Sequence, residues 1–96
     1  MTISQIQNAL APVFSQYGVR KAVLFGSHAK GCARDQSDVD LMVDSGLRGL
    51  AFAGLIEDVF VALGDKPVDV LDVAYIAKES RLDREIKETG VTIYEQ

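Results

Sequence analysis

The sequence lacks most of the residues that disulfide-linked, zinc-binding and triad-based proteins need. Cys32 is the only cysteine, so an internal disulfide is impossible and a cysteine-based zinc site lacks ligands. His28 is the only histidine, and its position directly after Ser27 disfavours the geometry of a serine–histidine–aspartate triad. No apolar run approaches the ~20 residues of a membrane span, and the first residues show no signal-peptide pattern. We therefore expect a soluble, cytoplasmic protein.

Three common sequence fingerprints are also absent. The chain has neither the G-x-x-x-x-G-K-[ST] of a P-loop nor the G-x-G-x-x-G of a dinucleotide-binding turn, and it has no G-x-S-x-G. The chain also has no excess of basic residues, since its net charge is -4. Proteins that bind nucleic acids usually carry clustered Lys and Arg, which the phosphates attract. We expect no stable nucleic-acid binding, although an acidic protein can still bind one nucleotide locally.

The chain of 96 residues has the size of one small domain. It can bury one modest core and leaves little material for a second substrate-binding lobe. With 48% apolar and 25% charged residues, its composition is that of an ordinary globular protein. We treat residues 1–96 as one domain.

Hydrophobic periodicity predicts alternating helices and strands. A helix capped by Ser4 runs to about Tyr17, with Pro12 as a point where it can kink, and ends at Gly18. Two more helices are predicted over 47–63 and 76–88, and strands over 19–25, 38–43, 67–71 and 91–94. The alternation predicts an α+β fold in which one mixed sheet of about four strands is flanked by helices. Apolar residues at helical spacing in the middle helix are Leu47, Leu50, Ala51, Leu55, Val59 and Leu63.

The first candidate site is the pair Gly26-Ser27, where a buried strand enters a loop over 26–37. Glycine allows a ligand to approach the backbone closely. If a helical turn begins at Ser27, its free N–H groups and hydroxyl would form an anion site. Taken alone, a Gly-Ser pair is more often only a turn.

The second candidate is Asp38-Val39-Asp40. In a strand both carboxylates point to one face with Cα atoms roughly 6.6–7 Å apart, so they can converge on one metal. Without a cation they would repel each other and resist desolvation, and the alternative is a solvent-facing pair at a strand start. A calcium loop is rejected because its sixth position needs glycine and holds Val43. Asp44 lies roughly 13 Å beyond Asp40, too far to share an ion.

A third carboxylate is expected from a neighbouring strand. Asp69 stands between Val68 and Val70, so it faces the side of Asp38 and Asp40 if the two valines face the core. Asp72 is the fallback, and the alternative is that Asp69 is a solvated strand residue.

Read together, Gly26-Ser27, ten intervening residues and Asp38-Val39-Asp40 resemble the signature of the DNA polymerase β-like nucleotidyltransferase superfamily. The segments 24–31 and 37–41 are similar to its small prokaryotic branch, the minimal nucleotidyltransferase (MNT) antitoxins that are paired with HEPN toxins. The resemblance covers nearly the whole chain, including the Pro-Val-Asp-Val-Leu strand and the Ile-Lys-Glu-Thr-Gly-Val-Thr-Ile-Tyr ending.

This resemblance implies the nucleotidyltransferase fold and assigns roles to five residues. Gly26 and Ser27 would bind the triphosphate of ATP, Asp38 and Asp40 would ligate two Mg²⁺ ions, and Asp69 would be a third ligand or the general base. One departure is Lys30, which stands where the family often has Arg and lacks the bidentate fork of that residue. A phosphate contact is therefore not assigned to Lys30, and we expect His28 to be an exposed loop residue near the phosphates.

The activity implied by the resemblance is transfer of AMP from Mg-ATP to a hydroxyl, expected to be a tyrosine, of a partner HEPN toxin, which neutralises that toxin. One alternative is a non-catalytic antitoxin that binds its partner stoichiometrically through the charged last helix. Another is nucleotidyl transfer to RNA or to a small molecule, which charge and size disfavour. A homo-oligomer or a hetero-oligomer with the toxin is compatible with the sequence, and no residue specifies adenine over other bases.

Overall fold

The structure is a computed structural model that describes residues 1–31 and 38–96. Helices and strands alternate along the described chain, as the periodicity predicts, and the part of the predicted loop at 32–37 lies outside the described residues. In chain order the elements are α1 (Ile3–Gln16), β1 (Lys21–Phe25), α2 (Ser27–Lys30), β2 (Val39–Asp44), α3 (Gly49–Ala62), β3 (Val68–Asp72), a 3₁₀ helix (Val73–Tyr75), α4 (Arg81–Thr89) and β4 (Val91–Glu95).

The four strands form one sheet in the order β3-β2-β1-β4. β1 pairs antiparallel with both β2 and β4, whereas β2 and β3 are parallel. A parallel pair needs a crossover connection, and α3 provides it. The predicted mixed sheet of about four strands is therefore confirmed.

One face of the sheet carries the main apolar core. Alternate residues of β2, namely Val39, Leu41 and Val43, are fully buried on this face beneath α1 and α3. Burial of each such side chain contributes about 1.5–3 kcal/mol. The helices supply the buried residues Ile6, Leu10, Phe14, Leu55, Val59 and Leu63. In the described ranges, no helix combines the length and apolar character needed to cross a membrane.

Among residues 1–31 and 38–96, only part of the opposite face is covered. Val23 and Phe25 of β1 pack here against Ile86 of α4. The same alternation that buries Val39 and Leu41 directs Asp40 to this second face, where it is half-buried beside the region that α4 covers.

The boundaries of two helices differ from the prediction. Thr2, and not Ser4, caps α1, because its hydroxyl accepts from the Gln5 N–H while the Gln5 side chain accepts from the Thr2 N–H. The predicted helix over 76–88 is wrong in its first part. Glu79 has a φ of 61°, which a right-handed helix cannot contain, and the Ser80 hydroxyl then caps α4.

Two predicted apolar positions in α3, Leu50 and Ala51, are exposed. Leu50 keeps 92% of its surface accessible, whereas Leu55 and Val59 are fully buried. At 3.6 residues per turn, five residues of separation turn Leu50 about 140° away from the line of Leu55. Leu50 therefore points away from the sheet.

Candidate active site

The chain turns sharply where β1 ends. Gly26 has φ 75° and ψ -153°, a backbone conformation that residues with a side chain rarely adopt. The short helix α2 begins at the next residue, Ser27, so the helical turn anticipated within this loop is present. The role of Gly26 and Ser27 in triphosphate binding stays a prediction.

Gly26 lies directly against the Asp40 carboxylate. A Cβ atom added to Gly26 would overlap Asp40 Oδ2 and would stand 3.3 Å from its Cγ. The register explains the contact, since Phe25, the residue before Gly26, is the antiparallel partner of Asp40. The two motifs of the sequence, ten residues apart between Ser27 and Asp38, therefore meet at one point of the structure.

Asp69 lies next to Asp40. The two are register partners in the parallel pair of β2 and β3, where neighbouring strands lie about 4.8 Å apart. Val70 is buried in the main core, so Asp69 points to the same face as Asp40, and it is exposed. Asp38 precedes β2 and is exposed as well. The structure thus brings together the carboxylates that the sequence indicates.

The neighbouring carboxylates affect the pKa of Asp40. Burial is the main cause that raises the pKa of the Asp40 carboxyl, and the negative charges of Asp69, Asp38 and Glu85 raise it further. A bound cation would offset both effects. Glu85 belongs to α4, and the sequence gives no signal that would place it near Asp40, because its proximity depends on how α4 packs on the sheet.

The donor set fits Mg²⁺ bound together with a nucleotide. Across residues 1–31 and 38–96, no three His, Cys, Asp or Glu side chains form a ready-made metal site. Mg²⁺ is usually held by one or two carboxylates together with substrate phosphates and water, so it does not need an all-protein cage. The repulsion among Asp38, Asp40 and Asp69 is therefore the property that suits these residues to a cation.

Asp72, the fallback third carboxylate, lies on the other face. It is 4% exposed, and its carboxylate accepts from the Ser45 hydroxyl at 2.5 Å, the Ser45 N–H at 3.2 Å and the Ala74 N–H at 3.0 Å. These bonds hold the loop after β2 and the start of the 3₁₀ helix. Asp72 is a structural residue, and Asp69 is the carboxylate beside Asp40.

His28 is buried, so the expectation of an exposed loop residue is wrong. Only 4% of it is accessible, and its Nδ1–H donates to the Asp38 carbonyl oxygen at 3.1 Å. Nε2 is buried without a hydrogen-bond partner within the described part of the chain. Burial lowers the pKa of His28, which favours the neutral ring. His28 therefore connects α2 to the residue that precedes β2.

Lys30 contacts α4. Its Nζ lies 3.5 Å from Glu85 Oε1, and both side chains are about half exposed, so the pair adds little to stability. Asp44 lies too far along β2 from Asp40 to share an ion with it, and it forms an ion pair with Arg20 at 2.7 Å.

Comparisons with known proteins identify the family of the chain. The family model described as polymerase beta, nucleotidyltransferase matches residues 8–96. A curated protein of Methanocaldococcus jannaschii that bears the name of a protein adenylyltransferase is 34% identical over 74 residues. The match covers 74% of this chain and 77% of that protein.

Solved structures share the fold. A chain of a toxin–antitoxin complex with AMP-PNP superposes with a TM-score of 0.78 at 22% identity, covering 94% of this chain and 73% of that one. A chain from the complex of a tri-AMPylated Shewanella oneidensis HEPN toxin with MNT antitoxin gives 0.73 at 19% identity, covering 99% and 74%. A protein of Sulfolobus solfataricus that bears the name of a nucleotidyltransferase gives 0.60 at 18% identity, covering 99% and 81%. With its Gly26–Asp40 contact and a family match over 8–96, this chain belongs to the polymerase β nucleotidyltransferase family.

Proposed function

We propose that this chain is an antitoxin that transfers AMP from Mg-ATP to a hydroxyl, expected to be a tyrosine, of a HEPN-family toxin and thereby neutralises it. The observation that carries the proposal is the meeting of Gly26 with Asp40 beside Asp69. The 34% identical relative bears the name of a protein adenylyltransferase. A similar fold occurs in the complex of an AMPylated HEPN toxin with MNT antitoxin.

The proposal assigns the triphosphate to the turn after β1. Gly26 has no side chain, so the phosphates can approach its backbone, and Ser27 adds a hydroxyl and an N–H at the start of α2. Asp38, Asp40 and Asp69 would hold two Mg²⁺ ions. When bound, the metal lowers the pKa of the attacking hydroxyl and stabilises the charge on the leaving group.

The chemical step is a substitution at the α-phosphorus of ATP. The acceptor oxygen forms a bond to this phosphorus, the bond from the phosphorus to the bridging oxygen breaks, and pyrophosphate leaves with that electron pair. Asp69 is exposed next to Asp40 and can accept the proton of the hydroxyl. We expect the reaction in the cytoplasm, and residues 1–96 to suffice as one catalytic domain.

The test uses the purified chain, the HEPN-domain protein encoded beside it, and Mg-ATP. Mass spectrometry should show one or more AMP additions on the HEPN protein, and an Asp38→Ala/Asp40→Ala variant should add none. Asp44→Ala is the matched control, because Asp44 is on the same strand but pairs with Arg20. If the HEPN protein is inhibited without any mass change, the chain acts by stoichiometric binding and the proposal is wrong.

A further inference from the structure

A groove of about 620 Å³ lies on the partly covered face of the sheet, between α4 and the 3₁₀ helix. Its apolar lining comes from Met42 of β2, Val73, Ile76 and Ile86. This volume falls in the range of ligand pockets in general, about 300–1,000 Å³. None of these four residues has a role in the proposed binding of ATP.

The groove and the Gly-Ser turn lie on opposite sides of Asp40. On β2, Met42 follows Asp40 on the same face, one step away from the turn. Gly26 lies one step in the other direction, since Phe25 pairs with Asp40 and Val23 pairs with Met42. The order along this face is therefore turn, Asp40, groove.

The in-line geometry of phosphoryl transfer relates this order to the positions of the leaving group and the acceptor. In nucleotidyl transfer the attacking and leaving oxygens lie roughly in line on opposite sides of the phosphorus. If pyrophosphate leaves from the turn at Gly26, the acceptor hydroxyl must arrive from the groove side. We propose that the groove binds the segment of the partner protein that presents the acceptor hydroxyl, an assignment that rests on the proposed function.

The charges around the groove favour a polypeptide occupant over a polyanion. Lys78 and Lys87 stand on its rim together with Glu79 and Asp83, so the four charges sum to zero. Lys87 is also neutralised locally, because its Nζ lies 3.0 Å from Asp83 Oδ2. An apolar interior with a balanced rim suits an aromatic or aliphatic side chain and not a second phosphate group.

The apolar surface continues outward along the sheet edge. β3 is an edge strand, and its Leu71 is 36% exposed. Val73 and Tyr75 of the 3₁₀ helix that follows are 43% and 71% exposed. These exposed apolar side chains are suited to contact with another protein. Val73 lines the groove and Leu71 is the register partner of Met42, so these residues extend the apolar lining of the groove.

The test compares Val73→Arg with Val61→Arg as the matched control. Val61 is 57% exposed on α3, which covers the other face of the sheet. In steady-state AMP transfer to the HEPN protein, Val73→Arg should raise KM for that protein at least about tenfold, which is 1.4 kcal/mol of binding. Its KM for Mg-ATP should stay within about twofold of wild type, because one exposed groove residue contributes only to acceptor binding. Val61→Arg should change neither.

Three results would overturn the assignment. An unchanged KM for the HEPN protein in Val73→Arg removes the groove as the acceptor site while leaving the proposed function intact. A raised KM for Mg-ATP alone means that the groove holds the nucleotide. Absence of transfer by the wild-type chain overturns the proposed function and the groove assignment together. If circular dichroism shows that Val73→Arg does not fold, the isosteric Val73→Thr replaces it, with a smaller increase in the same KM expected.

Discussion

Gly26 and the Asp40 carboxylate occupy adjoining space with no room for a methyl group between them. Gly26→Ala should therefore displace Asp40 and lower the rate of AMP transfer by about 10²-fold, the scale of a 1 Å misplacement in an active site. The rate is measured with the HEPN protein and Mg-ATP, and circular dichroism checks the fold.

Gly64→Ala separates displacement from backbone strain. Gly64 has a φ of 72°, close to the 75° of Gly26, but an added Cβ there has no neighbour within 4 Å among the described residues. Both variants should lose stability because alanine is strained at a positive φ, and Gly26→Ala should lose more because its Cβ also meets Asp40. Equal activity of the two variants would show that the Gly26–Asp40 contact does not matter.

Asp40 should be a residue that lowers stability while it supports activity. Its pKa is raised in the folded chain, so the ionised form present at neutral pH is less stable there than in the unfolded chain. Asp40→Asn should therefore raise the urea midpoint at pH 7 and reduce AMP transfer by about 10²–10⁴-fold or more.

Asp72→Asn is the control for this prediction. Asp72 is buried with three hydrogen bonds, so the substitution should lower the free energy of unfolding by roughly 1.5–3 kcal/mol. If Asp40→Asn lost as much stability as Asp72→Asn, the conclusion that the ionised Asp40 carboxylate lowers the stability of the fold would be wrong.

At the level of elements, the sequence predicts the strands of the sheet well. Alternation in Asp38–Val43 and the flanking valines of Asp69 suffice to direct Asp40 and Asp69 to one face, because strand parity is a local property. His28 shows the limit of such reasoning. Its burial depends on how the four-residue helix α2 is oriented against β2, and no periodicity can be read from one helical turn.

The start of α4 shows a second limit. Periodicity over 76–88 suits a helix, but Glu79 in the left-handed region and the Ser80 cap delay the start to Arg81. That delay leaves residues 76–79 to line the groove, in which Ile76, Lys78 and Glu79 take part. Whether the helix begins at the Ser80 cap or earlier depends on the packing of Ile76 and Leu82 against β1, which is a tertiary interaction.

Asp83 makes the stability of this helix start depend on pH. The Glu79 N–H, which donates to its carboxylate at 2.8 Å, and Lys87 lower the pKa of Asp83. A lowered folded-state pKa gives stability that is complete above the unfolded value near 3.9 and is lost as pH falls through the folded value. Asp83→Asn should therefore lower Tm at pH 7, and the difference from wild type should vanish in acid.

Thermal unfolding from pH 2 to pH 7 measures this difference. Glu88→Gln is the control, since Glu88 is exposed on the same helix. A Tm difference for Asp83→Asn that stays constant over the whole pH range would show that the carboxylate charge does not stabilise the start of α4.

At the scale of the whole molecule, the fold concentrates negative charge at one place on an acidic chain. The net charge is -4, and the negative charges of Asp38, Asp69 and Glu85 all act on the half-buried Asp40. Within the described ranges Lys30 is paired with Glu85, and a Mg²⁺ ion that arrives with the nucleotide would supply positive charge to offset the repulsion. Folding stability and ligand binding are coupled through this repulsion.

This coupling predicts a large thermal shift with Mg²⁺ and an ATP analogue whose α,β-bridging oxygen is replaced by methylene. At a ligand concentration about 100 times Kd, binding adds about 2.7 kcal/mol to the free energy of unfolding. For a chain of this size that corresponds to an increase in Tm of about 10–20 °C. The increase in Tm should be much smaller with the analogue in excess chelator, because the carboxylates then repel the triphosphate. It should be lost in Asp40→Asn, even though that variant is more stable without ligand. An equal shift in wild type and Asp40→Asn would mean that the nucleotide binds away from Asp40, and the proposed site would be wrong.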